Sequence, residues 1–237
     1  MHLKHKTNLG LALLVAGGLL SAATAHAQTV TATQTAWYSD TGLNNTGPGN
    51  YIAGLSNGRI FHDYFTFNLS GLSGQSITGA TLDLYQPISP PNNGNGIVTA
   101  LTFALGSVST DPTTVDTTAN SVAIFNALAS GVLYGSYALD PSQVGRTLHL
   151  NLDAAALADI TSRRGLLFTI GGYVPANNSY TFAATNNGTT GSTATPTPTL
   201  TLITAPVPEA STTVSFGLLL ALGMGGLVVA ARRKKAA

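Results

Sequence analysis

The 237-residue chain contains no cysteine. That removes disulfide staples, thiolate metal sites and cysteine nucleophiles together, and leaves stability to the packing of a core. Charge is nearly as scarce. Between Gln28 and Val207 there is no lysine and no glutamate, only four arginines (Arg59, Arg146, Arg163 and Arg164) against eight aspartates, a balance of −4. The formal net charge of +1 therefore resides in the ends of the chain. A lysine-free, mildly acidic surface cannot assemble the basic stripe that phosphate backbones require, which excludes nucleic-acid binding. Solubility has to come from Thr, Ser, Asn and Gly. Catalytic signatures are missing as well: there is no G-x-S-x-G, no H-E-x-x-H and, with Glu209 as the single glutamate, no glutamate pair. A glycosidase needs two carboxylates facing one bond, and dispersed aspartates do not mark such a pair.

What the chain does have is concentrated first at its ends. Lys4 and Lys6 precede an apolar stretch from Leu9 to Leu20, then small residues and Ala25-His26-Ala27 before Gln28. This order of charged region, apolar region and A-x-A site predicts a secretory signal peptide over residues 1–27. At the other end, Thr212 to Ala231 is 20 residues without a charge, and Arg232, Arg233, Lys234 and Lys235 follow directly. At ~1.5 Å per residue such a run covers a hydrocarbon core of roughly 30 Å. Basic flanks stay cytoplasmic, so the segment between the two apolar runs is expected outside the cytoplasm.

The middle, residues 28–204, is long enough for one domain with a sizeable core. In RIFHDYFTFNL (59–69), Phe61, Phe65, Phe67 and Leu69 fall on one parity and His62, Tyr64, Thr66 and Asn68 on the other, which predicts a half-buried strand. ITGATLDLYQP (77–87) sets Ala80, Leu82 and Leu84 against Thr81, Asp83 and Tyr85 until proline stops the run. Further strands are expected in 29–38, 97–108, 132–139, 146–152, 165–172, 179–185 and 197–204. Nine short strands with Gly, Asn and Pro between them predict an all-β fold, an antiparallel β-sandwich of jelly-roll kind rather than βαβ units. One short helix is expected where Asp153 caps AAALADITSRR, with Arg163 and Arg164 at its C-terminal dipole and Gly165 as its stop. SVAIFNALASG (121–131), with Val122, Phe125 and Leu128 on a common face, reads equally as helix or as strand and turn.

Few side chains suggest chemistry. His62 and Asp63 are neighbours in a strand, point to opposite faces, and cannot form a dyad. Asp63 shares the apolar parity. It reads first as half of a buried salt bridge with Arg59 or Arg146, with a ligand or metal contact and simple exposure as the alternatives. His149 lies on the polar parity of RTLHLNL and reads as a surface histidine. DTGLNNTGPGN (40–50) offers oxygens of the kind calcium prefers but lacks regular acidic spacing, so a surface loop is the simpler reading. Trp37 and Tyr51 are the candidate glycan contacts, as aromatic rings that stack on sugars when exposed. No catalytic residue, cofactor or metal ligand is assigned.

The C-terminal segment 205–237 carries a family resemblance. Val207, Pro208, Glu209, Ala210 and Ser211, then the apolar run 212–231 and the basic cluster 232–235, resemble the PEP-CTERM sorting signal of exported bacterial proteins; the similarity covers residues 206–236, and Ala210 stands where that family usually has proline. The resemblance implies an exosortase as partner, an integral-membrane processing enzyme of Gram-negative bacteria that make exopolysaccharide. It further implies transient tethering at the inner membrane with the domain in the periplasm, then delivery to the cell surface or extracellular matrix. RIFHDYFTFNLSGLSGQSITGATLDL, LNLDAAALADI and GLLFTIGG are similar to an uncharacterised sandwich domain of such proteins and to jelly-roll modules attached to carbohydrate-active enzymes. The expectation is an exported, non-enzymatic surface or matrix protein associated with exopolysaccharide. The alternative is a small envelope hydrolase or lyase acting on polysaccharide, which requires Asp63, His149 and a further polar group to converge.

Overall fold

The computed structural model describes residues 24–45, 51–87, 100–176, 180–182 and 196–206. Most of the predicted signal peptide, part of the 40–50 loop, and the whole sorting motif, apolar run and basic cluster lie outside the described residues. Among the described residues no helix is long and apolar enough to cross a membrane.

The described residues are mostly β-sheet with three short α-helices, consistent with an all-β fold, and every strand pairing among them is antiparallel. In chain order the strands are β1 (His26–Ser39), β2 (Asn44–Asn45), β3 (Ala53–Ser56), β4 (Arg59–Asn68), β5 (Gln75–Gln86), β6 (Leu101–Ser107), β7 (Leu133–Leu139), β8 (Arg146–Asn151), β9 (Leu167–Tyr173), β10 (Tyr180–Thr181) and β11 (Thr199–Pro206). Eight of them form one continuous path, β7-β6-β9-β4-β1-β11-β5-β8, with β2, β3 and β10 attached to its side. Of the expected antiparallel jelly-roll-like sandwich the antiparallel β-sheet is present, and its path runs unbroken through β1, which gives the sheet a barrel-like course.

A bulge in β1 makes this possible. The first half of the strand pairs with β11 and the second half with β4, and the register shifts between Ala32 and Gln34. One extra residue inverts the side-chain parity and bends the strand. Val30 and Ala32 consequently pack on the main core, whereas Ala36 and Tyr38 face the opposite way into a second cluster.

The main core gathers Phe65, Phe67, Leu82, Leu84, Phe103, Leu148, Leu150, Ile170 and Leu202 from both halves of the path. The second cluster holds Ala36, Tyr38, Tyr64, Val115, Ile124, Phe125 and Leu128. It lies under α1 (Pro112–Thr117) and α2 (Val122–Ala127). These helices overturn the expectation that β4 is half-buried: both its faces are covered, and Asp63 to Phe67 are all buried. Asp111 caps α1 with Pro112 at its first position, and Ser121 caps α2 through Ile124 N at 3.2 Å. Val122 is exposed, so the buried stripe of α2 starts at Ile124 rather than on the expected face.

α3 (Ala154–Ser162) matches the expected helix. The Asp153 carboxylate accepts from Ala155 N and Ala156 N at 2.9 and 3.0 Å, and Ala156 and Ile160 enter the main core. Gly165, at φ +85°, takes the left-handed turn beyond it.

The two end strands of the path, β7 and β8, are consecutive in the chain yet do not pair along their length. Asp153 N donates to Tyr134 O at 2.9 Å, and the Tyr137 hydroxyl to Asn151 O at 2.6 Å, joining them at one end. Between them lies a cleft of about 550 Å³ lined by Ser136, Tyr137, Gln143, Arg146, Thr147 and His149, among others.

Candidate functional site

β5 and β8 point Leu82, Leu84, Leu148 and Leu150 inward, so the alternate residues form an open outer face. Register places these in rows across neighbouring strands. Tyr85 lies opposite Thr147; Asp83 lies between His149 and Thr199; Thr81 lies between Asn151 and Thr201. The next strand continues two rows, because Thr31 is opposite Thr199 and Thr29 opposite Thr201. The result is a flat lattice of hydroxyl, amide and imidazole groups with one aromatic ring, bordered by the Arg146 cleft.

The groups on this face are tied to one another. His149 Nδ1 lies 2.7 Å from Asp83 Oδ1, with side-chain exposures of 71% and 20%. Facing a carboxylate, that ring nitrogen carries the proton, and Nε2 is left towards solvent. Thr199 Oγ1 approaches Asp83 Oδ2 at 3.5 Å, and Thr81 donates to Asn151 Oδ1 at 2.9 Å. Such a surface can exchange hydrogen bonds with a hydroxyl-rich ligand. Among the described residues no side-chain hydroxyl is hydrogen-bonded to the second nitrogen of His149.

Of the two candidate glycan contacts, Trp37 is half-buried on β1, opposite Asp63, with its ring edge-on to Phe61 at 4.9 Å. Tyr51 is overturned as a contact. It is 0% exposed and packs on Phe65 and Phe182, and its hydroxyl donates to Tyr85 O at 2.9 Å. A ring with no free face cannot stack on a sugar. What Tyr51 does is brace the backbone of Tyr85 from inside the fold. Tyr85 itself was missed, although the alternation in 77–87 already placed it on the solvent parity; an aromatic on a polar parity was the available signal.

Asp63 also departs from its first reading. It is 0% exposed, and among the described residues neither carboxylate oxygen has a hydrogen-bond partner. Arg59 is exposed four residues away on the same strand, ~13 Å along it at strand rise, and Arg146 is exposed beside the cleft, so neither reaches it. Burial raises the Asp63 carboxyl well above the ordinary range. Space for it comes from Gly172, where a Cβ would overlap Asp63 Oδ1 and the Phe103 ring. His62 points the other way, as strand parity requires: Nδ1 is 2.8 Å from Phe125 O, the ring stacks on Phe125 at 4.0 Å, and burial lowers its pKa.

The structure therefore does not bring Asp63 and His149 together. Asp63 is buried on the inner face of β4 and His149 is exposed on the outer face of β8, so these two do not converge. The described half of the 40–50 loop is occupied structurally, with Asn44 Nδ2 on Thr118 O at 3.1 Å and Asn120 N on Asn44 Oδ1 at 3.2 Å. Among the described residues no three His, Asp or Glu side chains cluster as metal ligands. Comparison with protein-family models and with curated proteins finds no match to this chain.

Proposed function

We propose that the chain is an exported, non-enzymatic surface or matrix protein that associates with exopolysaccharide. Its N-terminal signal leads it across the inner membrane, and its C-terminal tail holds it there until an exosortase acts at Val207–Ser211. One observation carries this reading. β1 and β11 pair so that His26 faces Thr204 and Ala27 faces Ile203. The points where the two terminal segments join the domain are thus neighbours at one end of it, an arrangement that lets both segments meet one membrane face. Cleavage after Ala27 would trim only the first two pairs of this ladder and leave Gln28 opposite Leu202.

The domain's finer architecture we read as a jelly-roll-like sandwich, with the β1-β11-β5-β8 half facing the β4-β9-β6-β7 half across the main core. Its glycan-facing surface is the outer face of β5, β8 and β11, with Tyr85 as the stacking ring and Asp83, Thr147, His149 and Thr199 as hydrogen-bonding groups. The test is retention of the protein on exopolysaccharide purified from the producing cells. Tyr85→Ala should cut retention about tenfold, since base or sugar stacking on one aromatic amounts to ~1–3 kcal/mol, and Trp37→Ala should leave it unchanged. Full retention by Tyr85→Ala would remove this face as the binding surface.

A further inference from the structure

The end of the domain from which the tail departs carries a disproportionate share of its positive charge. Pro206, the last described residue of β11, lies opposite Gln75. The Arg164 guanidinium donates to the Gln75 carbonyl and, through Nε, to Thr161 O at 2.9 Å, which fixes Arg164 beside the exit of the tail. Arg163, the residue that closes α3, is exposed and has no side-chain partner among the described residues. Leu166 follows, 55% exposed. The turn Ser70–Gly74 packs against the same corner, through Gly165 N to Leu69 O at 2.9 Å.

Asp159, one turn before Arg163 on α3, keeps its charge while accepting the Tyr134 hydroxyl at 2.6 Å, and the Asp153 carboxylate caps the opposite end of α3, so the two arginines outnumber the one carboxylate beside them. Two of the four arginines in a segment of charge −4 therefore meet at the one corner that the tail leaves.

Chain length then decides what this corner meets. Resting on the reading of Thr212–Ala231 as a membrane span, only Val207 to Ser211 separate Pro206 from the bilayer. Even fully extended, that linker holds the corner within ~20 Å of the membrane surface. We propose that the corner formed by Arg163, Arg164, Leu166 and the Ser70–Gly74 turn docks on anionic phospholipid headgroups while the chain is tethered. The Arg163 guanidinium, together with the N–H groups of Arg164 not given to Gln75 and Thr161, binds lipid phosphate, and Leu166 enters the interface. Docking sets the axis of the domain: Thr147, beside Tyr85 near the far end of β5, lies some ten residues of strand, ~33 Å, from Gln75. The glycan-facing surface is then held out towards the matrix.

Absence of native cysteine makes the test direct. The full chain is spin-labelled at Ser73→Cys or at Thr147→Cys and placed in nanodiscs of phosphatidylglycerol or of phosphatidylcholine. Relaxation by a lipid-anchored nickel chelate is then measured. The label at position 73 should relax strongly in phosphatidylglycerol and weakly in phosphatidylcholine, and the label at 147 weakly in both. Arg163→Ala, which breaks no bond within the domain, should lower the docked-to-undocked ratio about fivefold, and 0.5 M salt should abolish the difference between lipids. Equal relaxation at position 73 in both lipids, or no effect of Arg163→Ala, overturns the docking. Docking that appears only when the processing enzyme is added to the disc overturns it in favour of a protein contact. Failure of the chain to enter nanodiscs at all overturns the membrane-span reading, and the docking with it.

Discussion

At Asp63 a carboxyl sits on the inner face of β4 with no partner, and it stays because Gly172 leaves room for it. Its ionisation is opposed by burial, so the folded protein keeps its proton well above 3.8, where the unfolded chain has already lost it. The stability this group allows is full below ~4 and is lost as pH rises towards the folded value. His62 acts in the opposite sense: its folded pKa is lowered from 6.5, so its contribution is present above that value and is lost as pH falls below it. Asp63→Asn should gain stability relative to the native chain as pH rises from 4 to 7, the range over which the native chain loses the contribution of its neutral carboxyl. Urea melts at the two pH values decide it, and parallel curves would reject a neutral buried Asp63. The parity of Asp63 was readable from the chain, but its lack of a partner was not, because pairing depends on which arginine the topology carries to that depth.

Among the elements, β5, β8 and α3 follow directly from alternation and capping, and Ala80, Leu82, Leu84, Leu148 and Leu150, which alternation places inside, are inside. Two strong local signals were nevertheless passed over. Asn57-Gly58, with φ +51° and +73°, is the two-residue turn that makes β3 and β4 a hairpin, and Asp111-Pro112 opens α1. The coverage of β4 on both faces could not be read from β4 at all, since it depends on where α1 and α2 settle. That packing rests on a close backbone approach: a Cβ on Gly171 would overlap the carbonyl oxygen of Leu128 just beyond α2. Gly171→Ala should therefore cost about 1–3 kcal/mol, the usual range for overpacking, and should speed amide exchange in α2 before β5. Equal protection in both elements would argue against the close approach. Removing the α3 cap with Asp153→Ala should cost ~1 kcal/mol, read from the shift in the urea midpoint. The bulge between Ala32 and Gln34 was invisible in advance, because β1 looks regular until its two different partners are known.

Among the described residues, the pairing of β1 with β11 puts His26 and Thr204 side by side at one end, and strand direction carries Tyr85 and the β7–β8 cleft towards the other. The tail is proposed as an address rather than a permanent anchor because Val207, Pro208 and Glu209 precede the apolar run and are unnecessary for spanning a bilayer. The direct measurement is mass spectrometry of the mature C-terminus in cell-associated and released protein from the producing cells. The account predicts released protein that ends within or beside Val207–Ser211 and lacks Arg232–Lys235. Released protein that retains Ala237 would contradict it.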